Sequence, residues 1–239
     1  MSYEKSENTL FSADAFGKFG ALDADDSDWA CEARRYYFGI VGKFGAAVQN
    51  VLKKVAALDV KRICPLHGPV LSSDLSSYLD LYKTWSSYEA ESEGVFIAYT
   101  SVYGHTKEAA ELLKAELEKN GQKVVISDLA RCDMSEAVED AFRYDRLVLA
   151  TTTYNGDVFP FMSAFVHHLT GLNYQNRTIG LIENGSWAPT SAKTLKGRLE
   201  NCKNVVFCEP VVTVNAALSG ESRQKIAELA AALGDVSRQ

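Results

Sequence analysis

Basic residues are scarce: 25 Lys and Arg against 31 Asp and Glu leave a formal net charge of −6 over 239 residues. That balance excludes a nucleic acid or an anionic membrane held by bulk charge, and no Lys/Arg cluster works against it. Long apolar runs are also missing. No stretch approaches the eighteen or more apolar residues of a membrane span, and the opening MSYEKSENTL has no signal-peptide core, so a cytoplasmic protein is expected. Cysteine is sparse, and the five present (Cys31, Cys64, Cys132, Cys202, Cys208) form no C-x-x-C pair. An odd, scattered set fits buried reduced thiols and excludes a disulfide framework or a zinc site. There is no internal repeat and no low-complexity tract.

What is present is hydrophobic residue, 46% of the chain, enough for one large domain or a domain with an appendage. From Val95 onward short apolar runs alternate with helical stretches. The strand candidates are VFIAY (95–99), KVVISDL (123–129), RLVLATT (146–152), TIGLIEN (178–184) and NVVFCEPVV (204–212). Near-continuous apolar runs suit strands covered on both faces. The helix candidates are 107–121, 135–143 with a Ser cap, 159–171, 190–202 and 222–234. Five strand–helix repeats predict an α/β, doubly wound parallel sheet with helices on both faces, over residues 93–239.

Residues 1–92 read differently. The stretch 28–60 is mostly helical with Asp28 as its cap, KRIC (61–64) is a brief strand, and 72–91 is a helix with Asp74 as its cap. On that last helix Leu75, Leu79, Tyr82 and Trp85 make an apolar stripe. Asp23, Asp25, Asp26 and Asp28 read as a solvated turn and cap, because a calcium loop needs a twelve-residue ligand spacing and a terminal Glu.

In an open α/β sheet ligands sit beyond the carboxyl ends of the strands. After the first strand, Thr100, Ser101, Val102, Tyr103, Gly104, His105 and Thr106 place hydroxyls and backbone N–H groups at a helix N-terminus, where an anion is favoured. G-x-G-x-x-G and G-x-x-x-x-G-K-[ST] are both missing, and the loop has no Lys or Arg. Neutral donors suit a monophosphate ester; the plainer role for Thr106 is to cap its own helix. After the third strand, Thr152, Thr153, Tyr154, Asn155, Gly156 and Asp157 combine an Asn-Gly turn with an aromatic face. After the fourth, Asn184, Gly185, Ser186, Trp187 and Ala188 repeat the combination. Together the three loops describe a site for a planar ring with a phosphate tail.

These loops resemble those of the flavodoxin family, whose phosphate-loop pattern T/S-x-x-G-x-T is met by Ser101, Gly104 and Thr106. The resemblance covers 95–235 and implies a five-stranded sheet of order 2-1-3-4-5. It also implies FMN, with phosphate on 100–106 and the isoalloxazine between 153–158 and 184–188. Val102 and Tyr103 depart from the family, whose short-chain members often carry further hydroxyls there. Upstream, LFSADAFGKFG (10–20) and CPLHGPVL (64–71) resemble the last parts of the metallo-β-lactamase-like domain of flavodiiron proteins. The resemblance makes Asp14 and His67 the matching metal ligands and Tyr82 and Trp85 a family Y-x-x-W pattern. The family's H-x-E-x-D-H motif is absent from the chain. One carboxylate and one imidazole do not hold two metals, so Asp14 and His67 are read as vestigial and a di-iron site is not expected in the isolated chain. The alternatives are a second polypeptide supplying the other ligands, or an ordinary polar role for His67. His167 and His168 are adjacent on a helix, point in different directions, and read as surface residues.

The leading expectation is an FMN-binding electron-transfer flavoprotein, a truncated relative of the flavodiiron oxygen and nitric oxide reductases. Residues 1–92 would be a remnant domain plus linker helix and 93–239 the flavin domain. No catalytic acid, base or nucleophile is required. The resemblance implies a redox partner such as rubredoxin or a flavin reductase and a homodimer, with oxygen or nitric oxide reduction only if another chain supplies the missing ligands. The competing expectations are a non-redox interaction protein that keeps the fold, and a flavodoxin-like quinone reductase.

Overall fold

The computed structural model of the chain describes residues 1–21 and 29–235. Asp23, Asp25, Asp26 and Asp28 lie outside the described residues. The chain divides into two compact units, Met1–Glu91 and Ser92–Gln239.

Among its described residues the first unit holds three strands where one was expected. β1 (Ser2–Glu4) pairs antiparallel with β2 (Thr9–Ala13), and β2 pairs in parallel with β3 (Arg62–Pro65). At three and five residues, β1 and β2 are too short for a periodic apolar signal. The expected long helix is divided into α1 (Trp29–Ile40) and α2 (Gly45–Val55) by a 3-10 turn at Gly42–Phe44. α3 (Leu75–Ser87) follows β3. Asp74 stands at its N-cap position but does not cap it. Its backbone is left-handed (φ 48°), which turns the carboxylate from the helix amides, and it accepts from Ser76 Oγ instead at 3.2 Å. Of the expected stripe, Tyr82 and Trp85 are buried and Leu75 and Leu79 half-buried. The core is aromatic: Tyr82 lies 4.3 Å from Phe16, 5.2 Å from Tyr37 and 5.2 Å from Trp85 between ring centroids.

In the second unit β4 (Ser92–Tyr99), β5 (Val124–Asp128), β6 (Tyr144–Tyr154) and β8 (Arg177–Asn184) follow the expected runs. The fifth run is split. β9 (Val205–Phe207) and β10 (Val212–Val214) both pair with β8 in parallel, and Pro210, which has no N–H to give to a ladder, lies in the gap. A further short strand, β7 (Asp157–Val158), turns back on β6 as a hairpin. The sheet runs β10-β8-β6-β4-β5, which is order 2-1-3-4-5 when β9 and β10 are counted as one broken strand.

Among the described residues five helices flank the sheet: α4 (His105–Lys119), α5 (Met134–Arg143), α6 (Pro160–Gly171), α7 (Ser191–Leu199) and α8 (Gly220–Asp235). The cap of α5 is Asp133, whose carboxylate accepts from Ser135 N at 2.8 Å, and not the expected Ser135. Side chains of β4 alternate between two buried faces. Val95, Ile97 and Tyr99 join Leu113, Leu117, Ile226 and Leu229 of α4 and α8, while Phe96 turns toward Phe165 of α6 at 6.4 Å. Parallel register places Tyr99 beside Ala150 and Thr152 beside Asn184, so the loops after β4, β6 and β8 open at one edge. Among the described residues no helix is long and apolar enough to cross a membrane.

Candidate cofactor site

The three hydroxyl-rich and aromatic loops converge on one cavity of about 460 Å³, an ordinary size for a small-molecule site. Its walls carry Ser101, Val102, Tyr103, His105 and Thr106 from the first loop, Thr152, Thr153 and Tyr154 from the second, and Asn184, Gly185, Ser186 and Trp187 from the third. Thr100, Gly104, Asn155, Gly156, Asp157 and Ala188 are not in the lining. Thr100 is buried beneath it, with its hydroxyl 2.7 Å from that of Thr151. Two lining residues escaped the sequence reading. Phe159 packs edge-on to Tyr154 at 5.4 Å, and Ala216 follows β10 in a left-handed conformation, φ 65°. An Asx or Gly at 216 would have been the signal for such a turn, and alanine gives none.

The floor of the cavity is a hydroxyl and amide network. Thr106 Oγ1 lies 3.2 Å from Thr152 Oγ1 and accepts from Asn184 Nδ2 at 3.2 Å; the same amide reaches the Ala216 carbonyl at 3.3 Å. Thr106 sits within the first turn of α4 and bonds to the ends of β6 and β8, while the N-cap position belongs to Gly104. Ser101 Oγ accepts from Gly104 N at 3.1 Å and closes the first loop. Below the network Tyr99 is kept neutral, its phenol raised by burial and then by the Asp128 carboxylate.

The second loop is shaped by Asn155 (φ 50°) and Gly156 (φ 73°), consecutive left-handed residues that make the tight turn between β6 and β7. In the third, a Cβ on Gly185 would lie 3.0 Å from Pro189 Cα, so any other residue would push the fold-back of the loop apart by a few tenths of an ångström. Trp187 at 99% exposure and Tyr103 at 89% stand fully in solvent beside the cavity, with Tyr154 half-exposed between them. Large rings left so exposed at the mouth of a polar cavity mark a binding surface.

No Asp, Glu, Lys or Arg lines the cavity among the described residues, whose donors are hydroxyls, the Asn184 amide and the His105 ring. Hydroxyls, one amide and the outward N–H groups of the first turn of α4 are what a phosphate monoester needs, and the rings are what a flat heteroaromatic needs. The residues present fit FMN. A larger hollow, about 860 Å³, lies beyond the hairpin along α6 and α7, but it is an open groove without the hydroxyl network. His167 lies along it; both His167 and His168 are exposed, with centroids 6.4 Å apart.

Asp14 and His67 do come together in the first unit. His67 Nε2 lies 3.7 Å from Asp14 Oδ1, both side chains are half-exposed, and the Tyr36 hydroxyl donates to the same carboxylate at 3.3 Å. Among the described residues no group of three or more His, Cys, Asp and Glu is placed to hold a metal ion. The described side chains do not fit a di-iron group.

Residues 96–235 match the family model of the flavodoxin domain, Flavodoxin_5. Over 238 residues the chain is 26% identical to a nitric oxide reductase of Moorella thermoacetica, covering 96% of this chain and 59% of that protein. Its fold is similar to that of the rubredoxin oxygen:oxidoreductase of Desulfovibrio gigas, with a TM-score of 0.90 and 19% identity over 99% of this chain and 61% of that one. It is also similar to the flavodiiron protein of Giardia intestinalis, with a TM-score of 0.86 and 19% identity over 98% and 59%. The chain thus spans about three fifths of the length of these relatives. Because the match runs from β4 to the last turn of α8, over more than half of its length, this chain belongs to the flavodoxin domain family.

Proposed function

We propose that the protein binds FMN in the cavity at the ends of β4, β6 and β8 and carries electrons between partner proteins. The observation that carries this reading is the coincidence, in one cavity without Asp, Glu, Lys or Arg among the described residues, of the Thr106–Thr152–Asn184 network with the exposed rings of Trp187, Tyr103 and Tyr154. Ser101, Thr106 and the backbone amides of residues 101–106 would hold the phosphate. Tyr154 and Trp187, with the backbone around Asn155 and Gly156, would hold the ring system. Bound there, FMN supplies one- and two-electron chemistry; the chain's own groups bind it, exclude water from its faces and bias its affinity between oxidation states. The formal charge of −6 disfavours an extra negative charge on the ligand.

The rubredoxin oxygen:oxidoreductase of Desulfovibrio gigas supports a rubredoxin-type electron donor, and the flavodiiron protein of Giardia intestinalis supports reading Met1–Glu91 as a remnant of a di-iron domain. With Asp14 and His67 as the ligands in hand, reduction of oxygen or nitric oxide is not assigned to the described residues. The test is direct. Purified protein titrated with FMN should quench flavin fluorescence to a one-to-one end point and take on a flavin visible spectrum. A colourless preparation that leaves added FMN fluorescence unchanged would overturn the reading.

A further inference from the structure

α7 has no side-chain cap of its own, since Thr190 at its N-cap position makes no such bond. Its first amides are taken instead by side chains from two strand ends. Thr190 N and Ser191 N donate to Thr153 Oγ1 of β6 at 2.9 and 3.2 Å, and Ala192 N donates to Glu183 Oε2 of β8 at 3.0 Å. The other carboxylate oxygen of Glu183 accepts from Thr213 Oγ1 at 3.0 Å, so this buried side chain is committed on both sides. In its last turn the same helix carries Arg198. Arg198 Nη2 reaches both carboxylate oxygens of Asp157, at 2.8 and 2.6 Å, and Nη1 donates to Ser163 Oγ of α6 at 2.6 Å. Asp157 is the residue paired with Tyr154 across the hairpin, and its Oδ1 also accepts from Val158 N at 2.7 Å.

Both aromatic walls of the cavity are therefore fastened to one helix. The loop bearing Trp187 runs directly into its N-terminus, and the hairpin bearing Tyr154 and Asn155-Gly156 is gripped from its C-terminal turn. We infer that Arg198 is a positioning residue through which α7 brackets the two ring-binding walls, so that the spacing between them is set by one rigid element. The guanidinium fork suits such a role, because a planar group meeting a carboxylate and a hydroxyl from two other elements fixes direction, where an ammonium would supply only charge. Since the 154–157 turn is where backbone meets the ring edge in the proposed function, loosening it should weaken oxidised and reduced FMN unequally. The inference rests on that reading for its ligand but not for its geometry.

The experiment compares the full chain with Arg198→Gln, Arg198→Lys and Arg198→Gln combined with Asp157→Asn. Amide hydrogen exchange is measured without ligand, and FMN affinity and midpoint potential with it. Arg198→Gln should raise exchange at 154–157 and at 186–190 by about tenfold or more while 95–99 stays protected, which also shows that the sheet is folded. FMN should bind about tenfold more weakly, with the loss differing between oxidation states so that the midpoint potential moves. Arg198→Lys should rescue only in part, and adding Asp157→Asn should add nothing, as expected for partners in one contact. Full rescue by Lys, exchange confined to the hairpin, or an FMN affinity within twofold of the parent with an unmoved midpoint potential would each overturn the bracket. If the parent itself binds no FMN, the proposed function falls, and the exchange pattern alone decides whether α7 holds both walls.

Discussion

The two units use tryptophan in opposite ways. In Met1–Glu91 Trp85 is 1% exposed and packs against Tyr37 and Tyr82, which in turn meet Phe38 and Phe16. In the second unit the core facing α4 and α8 is mainly aliphatic, while Trp187, Tyr103 and Tyr154 stand outside at the strand ends. A ring buried among rings stabilises by area and edge contacts, whereas a ring kept in water carries an unused apolar face that a ligand can cover. Polar groups follow the same division. Arg34, 1% exposed on its side chain, is tied to Glu91 through Nε at 2.7 Å and Nη2 at 2.6 Å, and Trp85 Nε1 donates to the same carboxylate. The cavity of the second unit is instead lined by hydroxyls, the Asn184 amide and the His105 ring. A carboxylate shared by a buried guanidinium and a buried indole serves the fold; a cluster of hydroxyls opening on solvent serves a ligand.

Substitutions separate the two kinds of ring. Trp85→Ala should cost about 3–5 kcal/mol, as deleting a buried indole does, and chemical denaturation should show the first unit melting well before the second. Glu91→Ala should cost about 3 kcal/mol, because the Arg34 guanidinium stays buried without that carboxylate; a Glu91→Gln variant that is equally unstable would show that charge, not hydrogen bonding, is what Arg34 requires. Alkaline pH should sharpen the contrast further. Burial raises the phenols of Tyr37 and Tyr82 in the first unit and Tyr174 in the second well above the ordinary value of 10.0. The folded state keeps these protons while the unfolded chain releases them above about pH 10. Stability is therefore unaffected below that pH and falls above it, by about 1.4 kcal/mol per pH unit for each such residue. With two of these three tyrosines, the first unit should be lost first in a pH-jump melt followed by tyrosinate absorbance. Smallest in free energy is Trp187→Ala. It should leave stability within about 0.5 kcal/mol and weaken FMN by about threefold to tenfold, read by fluorescence titration; a destabilised protein with unchanged affinity would make Trp187 a structural ring after all.

Much of this architecture was legible in the residues, and the reasons are local. Runs such as VFIAY and RLVLATT are apolar at every position because both faces of a parallel strand are covered, and the helices between them repeat at 3.6 residues. Asn155-Gly156 announced a turn because only left-handed backbone closes it. The misses are local too. β1 and β2 are too short for a period, Pro210 breaks a run that hydropathy alone joins, and Asp74 has the side chain of a cap without its backbone angle.

The candidate site divides along the same line. Its loops, their hydroxyls and their exposed rings follow from sequence order, because strand ends in a parallel sheet fall at one edge. Which groups remain available there was decided by tertiary structure. Thr153, read as a ligand contact, spends its hydroxyl on amides 37 and 38 residues away. Asp157, read likewise, is held by an arginine 41 residues further along. No periodicity records such distances. They arise because folding leaves the first amides of α7 without a capping side chain of their own and the hairpin carboxylate with capacity beyond its bond to Val158 N, and a polar group near a core takes the nearest complementary atom that packing brings to it.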